Sequence, residues 1–130
     1  MKLTIGATGQ ASPEVAWNRY VHPALWRTWS PQITSVDATD ETLRPGTTGT
    51  VHGPLGVAVA FRILDVDHEK RSWSWEVKAV GITLTLRHGV QLSNAKKLGG
   101  SATTLVIDGP APVVVGYAPL ARIALGRLVR

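Results

Sequence analysis

His88 is the side chain in this sequence best suited to chemistry. It falls on the apolar side of a strand-like run from Ile82 to Leu92, in phase with Leu84 and Leu86. A buried imidazole must find a partner, so His88 can orient a ligand carbonyl or act as an acid or base. A core or edge histidine bonded to a neighbour meets the same demand. Trp73 and Trp75 are two residues apart, so both rings leave the same side of a strand. If that side is concave they line a cavity. Each also buries enough area to be explained by stability alone. Arg62 is a charge in an apolar strand between Phe61 and Ile63. Pointing outward it is a solvated arginine; pointing inward it needs an acid or an anion. Asp65 and Asp67 share a face at an exposed strand end, which is a poor setting for a catalytic carboxylate pair.

The other histidines carry less. His52 adjoins a turn and its face is ambiguous. His22 precedes a proline between two helices and reads as structural. His68, between Asp67 and Glu69, reads as a solvated turn. Histidines and acids show no metal-ligand spacing, there are no cysteines, and no Ser-His-Asp set follows from spacing. The run Gly46-Thr47-Thr48-Gly49-Thr50 lacks the lysine and helix of a phosphate loop. No catalytic set is identified; His88 is a candidate only. No metal or other cofactor is implied.

The elements that must position these residues are legible. Lys2 to Thr8 alternates Leu3, Ile5 and Ala7 with polar or small residues, as a strand with one buried face does. Ser12, Pro13 and Glu14 supply a cap, a proline at the first helical position and an acid in the first turn. That helix is expected to reach about Tyr20 and to end at His22-Pro23. Ala24 to Trp29 makes a second short helix, closed by Ser30-Pro31. Strands are expected over Gln32 to Thr42, Thr47 to His52, Val57 to Asp67, Ser72 to Val80, Ile82 to Leu92 and Ser101 to Asp108. Turns fall at Arg44-Pro45-Gly46 and Gly53-Pro54-Leu55-Gly56, and Ser93 to Gly100 is expected to be an exposed loop. Val113 to Arg130 is a helix whose apolar arc gathers Tyr117, Leu120, Ala121, Ala124, Leu125 and Leu128. Pro119 within it predicts a kink, or a helix start nearby.

One domain of 130 residues is large enough to bury a core without staples. The absence of cysteine fits a reducing, cytoplasmic setting. The first ten residues lack the apolar core of a signal peptide, and no uncharged run of spanning length occurs; Arg122 and Arg127 interrupt the nearest. The net charge of +5 comes from dispersed cations without a nucleic-acid motif, which argues against nucleic acid as a partner.

Strand, two short helices, six antiparallel strands and a long helix form an α+β arrangement: a bent sheet of about seven strands with one helix laid across it. This order resembles the START-like (SRPBCC) superfamily with its helix-grip fold, and within it the polyketide cyclase/dehydrase and lipid-transport group. The resemblance is carried by Ser12-Pro13-Glu14-Val15-Ala16-Trp17, His22-Pro23, Trp26, Trp29-Ser30-Pro31, Pro45-Gly46-Thr47 and Arg71-Ser72-Trp73-Ser74-Trp75. It implies an apolar cavity between sheet and helix for lipids, polyketides, hormones or aromatic compounds. On that basis Trp73, Trp75, His88, Leu84, Leu86, Phe61, Trp17 and Tyr117 are the expected ligand contacts. It carries no shared catalytic set. The terminal helix, with Pro119 and an end at Arg130, is short for the group, which would leave the cavity small or more open. Three functions fit: a carrier or sensor of a small hydrophobic molecule, a cyclase or dehydratase moving protons through His88 with Arg62 or His52, and a protein-interaction module. Monomer and homodimer both fit the sequence.

Overall fold

The computed structural model describes residues 1–93 and 99–130. Seven strands form one antiparallel sheet: β1 (Lys2–Gly9), β2 (Ser35–Ala38), β3 (Thr48–His52), β4 (Ala58–Asp67), β5 (Ser72–Ala79), β6 (Ile82–Leu92) and β7 (Ser101–Asp108). Their order is β1-β7-β6-β5-β4-β3-β2. The helices α1 (Pro13–Val21) and α2 (Trp26–Trp29) lie between β1 and β2, and α3 (Ala111–Leu128) follows β7. This is the helix-grip fold, a curved sheet holding a long helix.

Each local expectation has a visible cause. Ser12 caps α1 by accepting a hydrogen bond from the Val15 N–H, with Pro13 in the first turn. The chain then breaks at His22, makes a single 3₁₀ turn over Pro23–Leu25 and enters α2. Trp26 and Trp29 fasten this break by donating their indole N–H groups to the carbonyls of Tyr20, at 2.7 Å, and Arg19, at 3.1 Å. The backbone of α1 is thereby tied to α2 by the same rings that fill the core.

The register sets the concave face. Trp73 pairs with His88, Trp75 with Leu86 and Val77 with Leu84 across β5 and β6; Leu86 in turn pairs with Ile107 and His88 with Leu105 across β6 and β7. A shift in the β4–β5 pairing between Ile63 and Asp65 inserts an extra residue, and such a bulge bends the strand. Two glycines permit close approach. A β-carbon on Gly9 would stand 1.9 Å from the Val129 carbonyl oxygen, so the glycine lets the end of α3 seat on β1, where the Ala11 N–H donates to that same oxygen at 3.0 Å. A β-carbon on Gly49 would stand 2.0 Å from the Asp37 oxygen and press on the Phe61 ring.

Three expectations need correction. The first strand after the helices is only Ser35–Ala38, not Gln32 to Thr42. Its ends are taken by local polar bonds: the Thr47 hydroxyl donates to the Asp40 carboxylate at 2.7 Å, and Arg44 pairs with Asp40 at 3.1 Å. These close a turn where a longer strand would have run. The hydrogen bond from Thr47, helped by Arg44, holds Asp40 below the usual carboxylate range. The terminal helix starts at Ala111 and runs through Pro119. Pro119 lies on the exposed side, where water can satisfy the carbonyl that loses its partner. Leu120 is exposed and does not belong to the buried arc, which gathers Val114 and Ala118 with Ala121, Ala124, Leu125 and Leu128. Ser74, on the outer face of β5, is nonetheless buried. The central part of the loop expected over Ser93 to Gly100 lies outside the described residues.

Candidate functional site

Between the sheet and the first half of α3 lies a cavity of about 340 Å³. Its walls come from β3 and β4 (Val51, Val59), β5 and β6 (Trp75, Val77, Ala79, Ile82, Leu84, Leu86), α3 (Val113, Tyr117) and the segment leading into β2 (Gln32, Ile33). Only Gln32 and Tyr117 add polar groups other than the Trp75 indole N–H. The volume falls in the range of sites for small organic molecules. The rim includes the turn between β5 and β6, where Val80 and Gly81 both have positive φ, 52° and 75°. That pair of signs belongs to a tight hairpin whose twist matches its strands. Val80 is 98 % exposed there, an apolar side chain on the lip of an apolar chamber.

Beneath this chamber the core is filled with rings. Trp73 is fully buried and stacks on His88, with centroids 4.5 Å apart and planes 10° from parallel. Trp26 stacks over Trp73 at 5.7 Å, and Tyr20 meets both Trp73 and His88 edge-on. Phe61 packs against Trp26 and Trp75. The Tyr20 hydroxyl is bonded to that of Thr103, whose own hydroxyl donates to the Gly89 carbonyl. Burial raises the Tyr20 phenol well above its ordinary value. A narrow crevice of about 20 Å³, bordered by Trp26, Trp29, Trp75, His88 and Tyr117, lies among these rings and α3. It has room for one water and no substrate.

His88 therefore sits under the chamber rather than on its wall. Its Nε2 accepts the Trp75 indole N–H at 3.1 Å. In the neutral ring the proton is then on Nδ1, which is buried and has no partner among the described residues. Burial lowers the His88 pKa to about 3, so the ring is neutral at neutral pH. A general acid or base works best with a pKa near the operating pH, and His88 is far from it.

The expected contacts thus divide. Trp75, Leu84, Leu86 and Tyr117 stand together on the chamber wall, and His88 borders only the crevice. Trp73 and Phe61 face the concave side as alternation predicts, yet α2 lies over them, so they are floor and not wall. Trp17 lies away from the chamber; its ring meets Tyr20, and its indole N–H donates to His68 Nδ1 at 3.2 Å. His68 is therefore more than a solvated turn, because it pins α1 to the end of β4. Arg62 points outward and lies 3.9 Å from Glu76. Asp67 caps its turn by accepting from the Glu69 and Lys70 N–H groups. His52 pairs with Asp37 at 2.8 Å, and the His22 ring contacts the Asn18 carbonyl at 2.9 Å. None of these four reaches the chamber.

Sequence reasoning did not name Gln32, Ile33, Val51, Val59, Val77, Ala79, Val80, Ile82 or Val113 as contacts. Val51 and Val59 pair directly across β3 and β4, so alternation contained a signal for them. Gln32 follows a helix break and has no periodic signal at all. Among the described residues no cluster of His, Cys, Asp or Glu could hold a metal ion, and no helix is long and apolar enough to cross a membrane.

The family model for polyketide cyclase / dehydrase and lipid transport matches residues 2–130. The chain belongs to this family. No curated protein matches it significantly in sequence. Among solved structures it is similar to an uncharacterized protein from Bacillus thuringiensis, with 13% identity, a TM-score of 0.82, and coverage of 99% of this chain and 96% of that one. It is also similar to Ara h 8.0201, with 14% identity, a TM-score of 0.76, and coverage of 98% and 94%. At these identities the likeness is one of fold. Membership in the polyketide cyclase/dehydrase and lipid-transport family, together with this fold, supports a hydrophobic ligand-binding fold. In this member α3 is continuous, and the exposed Val80 is among the residues lining the chamber.

Proposed function

We propose that the protein binds one small, uncharged, largely apolar molecule of two-ring aromatic size in the chamber under α3, as a carrier or sensor. The observation that carries this reading is the wall itself. Eleven of its thirteen residues are aliphatic or tryptophan, and none is charged. Apolar area removed from water supplies the affinity, at about 25 cal/mol per Å². The catalytic reading finds no support in the one candidate base, because His88 is neutral, sealed and outside the wall. The lack of cysteine suits such a role in the cytoplasm.

Filling the chamber tests the proposal. Val77 is half-buried on the wall and faces empty space. Val77→Trp should occupy that space while leaving the melting temperature near that of the wild type. An uncharged naphthylamine dye should saturate the wild type at one molecule per chain, and Val77→Trp should weaken it by about 100-fold or more, the loss of about 3 kcal/mol of apolar contact. Equal titrations of a folded Val77→Trp and the wild type would place the binding elsewhere and end this reading.

A further inference from the structure

The wall of the chamber holds one polar atom with nothing to bond. Gln32 Oε1 is buried and has no hydrogen-bond partner among the described residues. A buried acceptor left unpaired costs free energy that folding does not recover. Such an atom on a binding surface is a recognition element waiting for its donor. The Gln32 backbone is also held on both sides. The Ile33 N–H donates to the Ser30 carbonyl at 3.1 Å, and the Thr34 N–H and hydroxyl both donate to the His52 carbonyl, at 2.8 and 3.0 Å. These bonds tie the segment to α2 and β3, so the amide is presented from a fixed base.

We propose that the ligand of this chamber carries a single neutral hydroxyl, which donates to Gln32 Oε1. This inference rests on the chamber being the binding site. The Tyr117 hydroxyl stands beside the Gln32 amide, and a phenolic O–H can donate to the oxygen of the same ligand group. A hydroxyl is both donor and acceptor and uses both wall groups. A ketone or ether has no proton to give Gln32 Oε1 and can only accept, as from Tyr117, and a hydrocarbon can do neither. The Trp75 N–H does not compete, because it is already given to His88. A carboxylate or phosphate is rejected, since no cation lines the wall to compensate its desolvation. The ligand class is thus a phenol or alcohol on an apolar skeleton.

Three matched probes test this: naphthol, methoxynaphthalene and methylnaphthalene, titrated by calorimetry into the wild type and Gln32→Met. The wild type should bind naphthol about tenfold tighter than the other two, the worth of one good hydrogen bond to a buried acceptor. Gln32→Met should bind naphthol and methoxynaphthalene with similar affinity, since both still accept from Tyr117, and keep the wild-type affinity for methylnaphthalene. Should Gln32→Met fail to fold, the ranking of the three probes by the wild type decides, with Tyr117→Phe expected to narrow the naphthol preference. Equal binding of all three by the wild type, or a naphthol preference over methoxynaphthalene retained in Gln32→Met, overturns the hydroxyl assignment and leaves the chamber as an apolar site. Binding of none of the three overturns the chamber itself, and the hydroxyl with it.

Discussion

Trp73→Ala is expected to destabilise the protein by about 3–5 kcal/mol, the range for removing a fully buried large aromatic ring. Trp73 touches Trp26, Tyr20, Trp75 and His88 at ring-centroid distances of 4.5–5.7 Å, so its loss opens a hole bordered by four rings that are each held elsewhere. Trp26 is fixed by its bond to the Tyr20 carbonyl, and Trp75 by its bond to His88. The site therefore cannot collapse to fill the hole, and the cost belongs at the upper end. Domains of this kind have about 5–15 kcal/mol in total, so this one change removes a large share. Urea unfolding of the variant measures it. A loss below about 1 kcal/mol would mean that the ring block does not hold sheet and helices together.

The second large effect is on acid stability. The unfolded chain has a histidine of ordinary pKa near 6.5, and in the folded protein burial lowers His88 to about 3. Above pH 6.5 both states are neutral at this position and His88 adds no pH dependence. Between those values the unfolded state binds a proton that the folded state does not, so stability falls as the pH falls. Each unit below 6.5 costs about 1.4 kcal/mol, or about 3 kcal/mol by pH 4.5. His88→Gln keeps an oxygen that can accept the Trp75 N–H and removes the titration. Urea unfolding at pH 7.5 and 4.5 should show the wild type losing about 3 kcal/mol more than His88→Gln across that interval. The difference between the two proteins isolates His88 from the carboxylates, Asp40 included. Equal losses would mean that His88 protonates freely in the folded state and would return it to consideration as an acid or base.

These two residues show how far the sequence can be read. Strict alternation placed Trp73, Trp75, Val77, Leu84, Leu86 and His88 on one face, and the structure has them there, since a two-residue period on paired strands leaves no other choice. What alternation cannot say is which part of a concave face is open and which is covered. That depends on α2, whose Trp26 lies on Trp73 and Phe61, and a four-residue helix after a proline has no pattern that announces where it lands. Leu120 failed for a related reason. An apolar side chain on a helix wheel reads as core, yet α3 rests on the sheet along a narrower line through Val114, Ala118 and Ala121. Gln32 was illegible because its importance is negative: a polar atom becomes notable only once its surroundings are known to hold no partner. The family was legible from the order of elements and the spacing of tryptophans and prolines, which the match over residues 2–130 supports.

The central claim is that an apolar molecule enters between the sheet and the first half of α3. The most direct measurement is a nitrogen–proton NMR titration of the wild type with naphthol. Saturable shifts are expected at the amides of Val51, Val77, Ile82, Leu84 and Val113, which surround the chamber, with those of Trp17 and His68 unmoved. Shifts confined to the outer face of the sheet, or none at saturating naphthol, would contradict it.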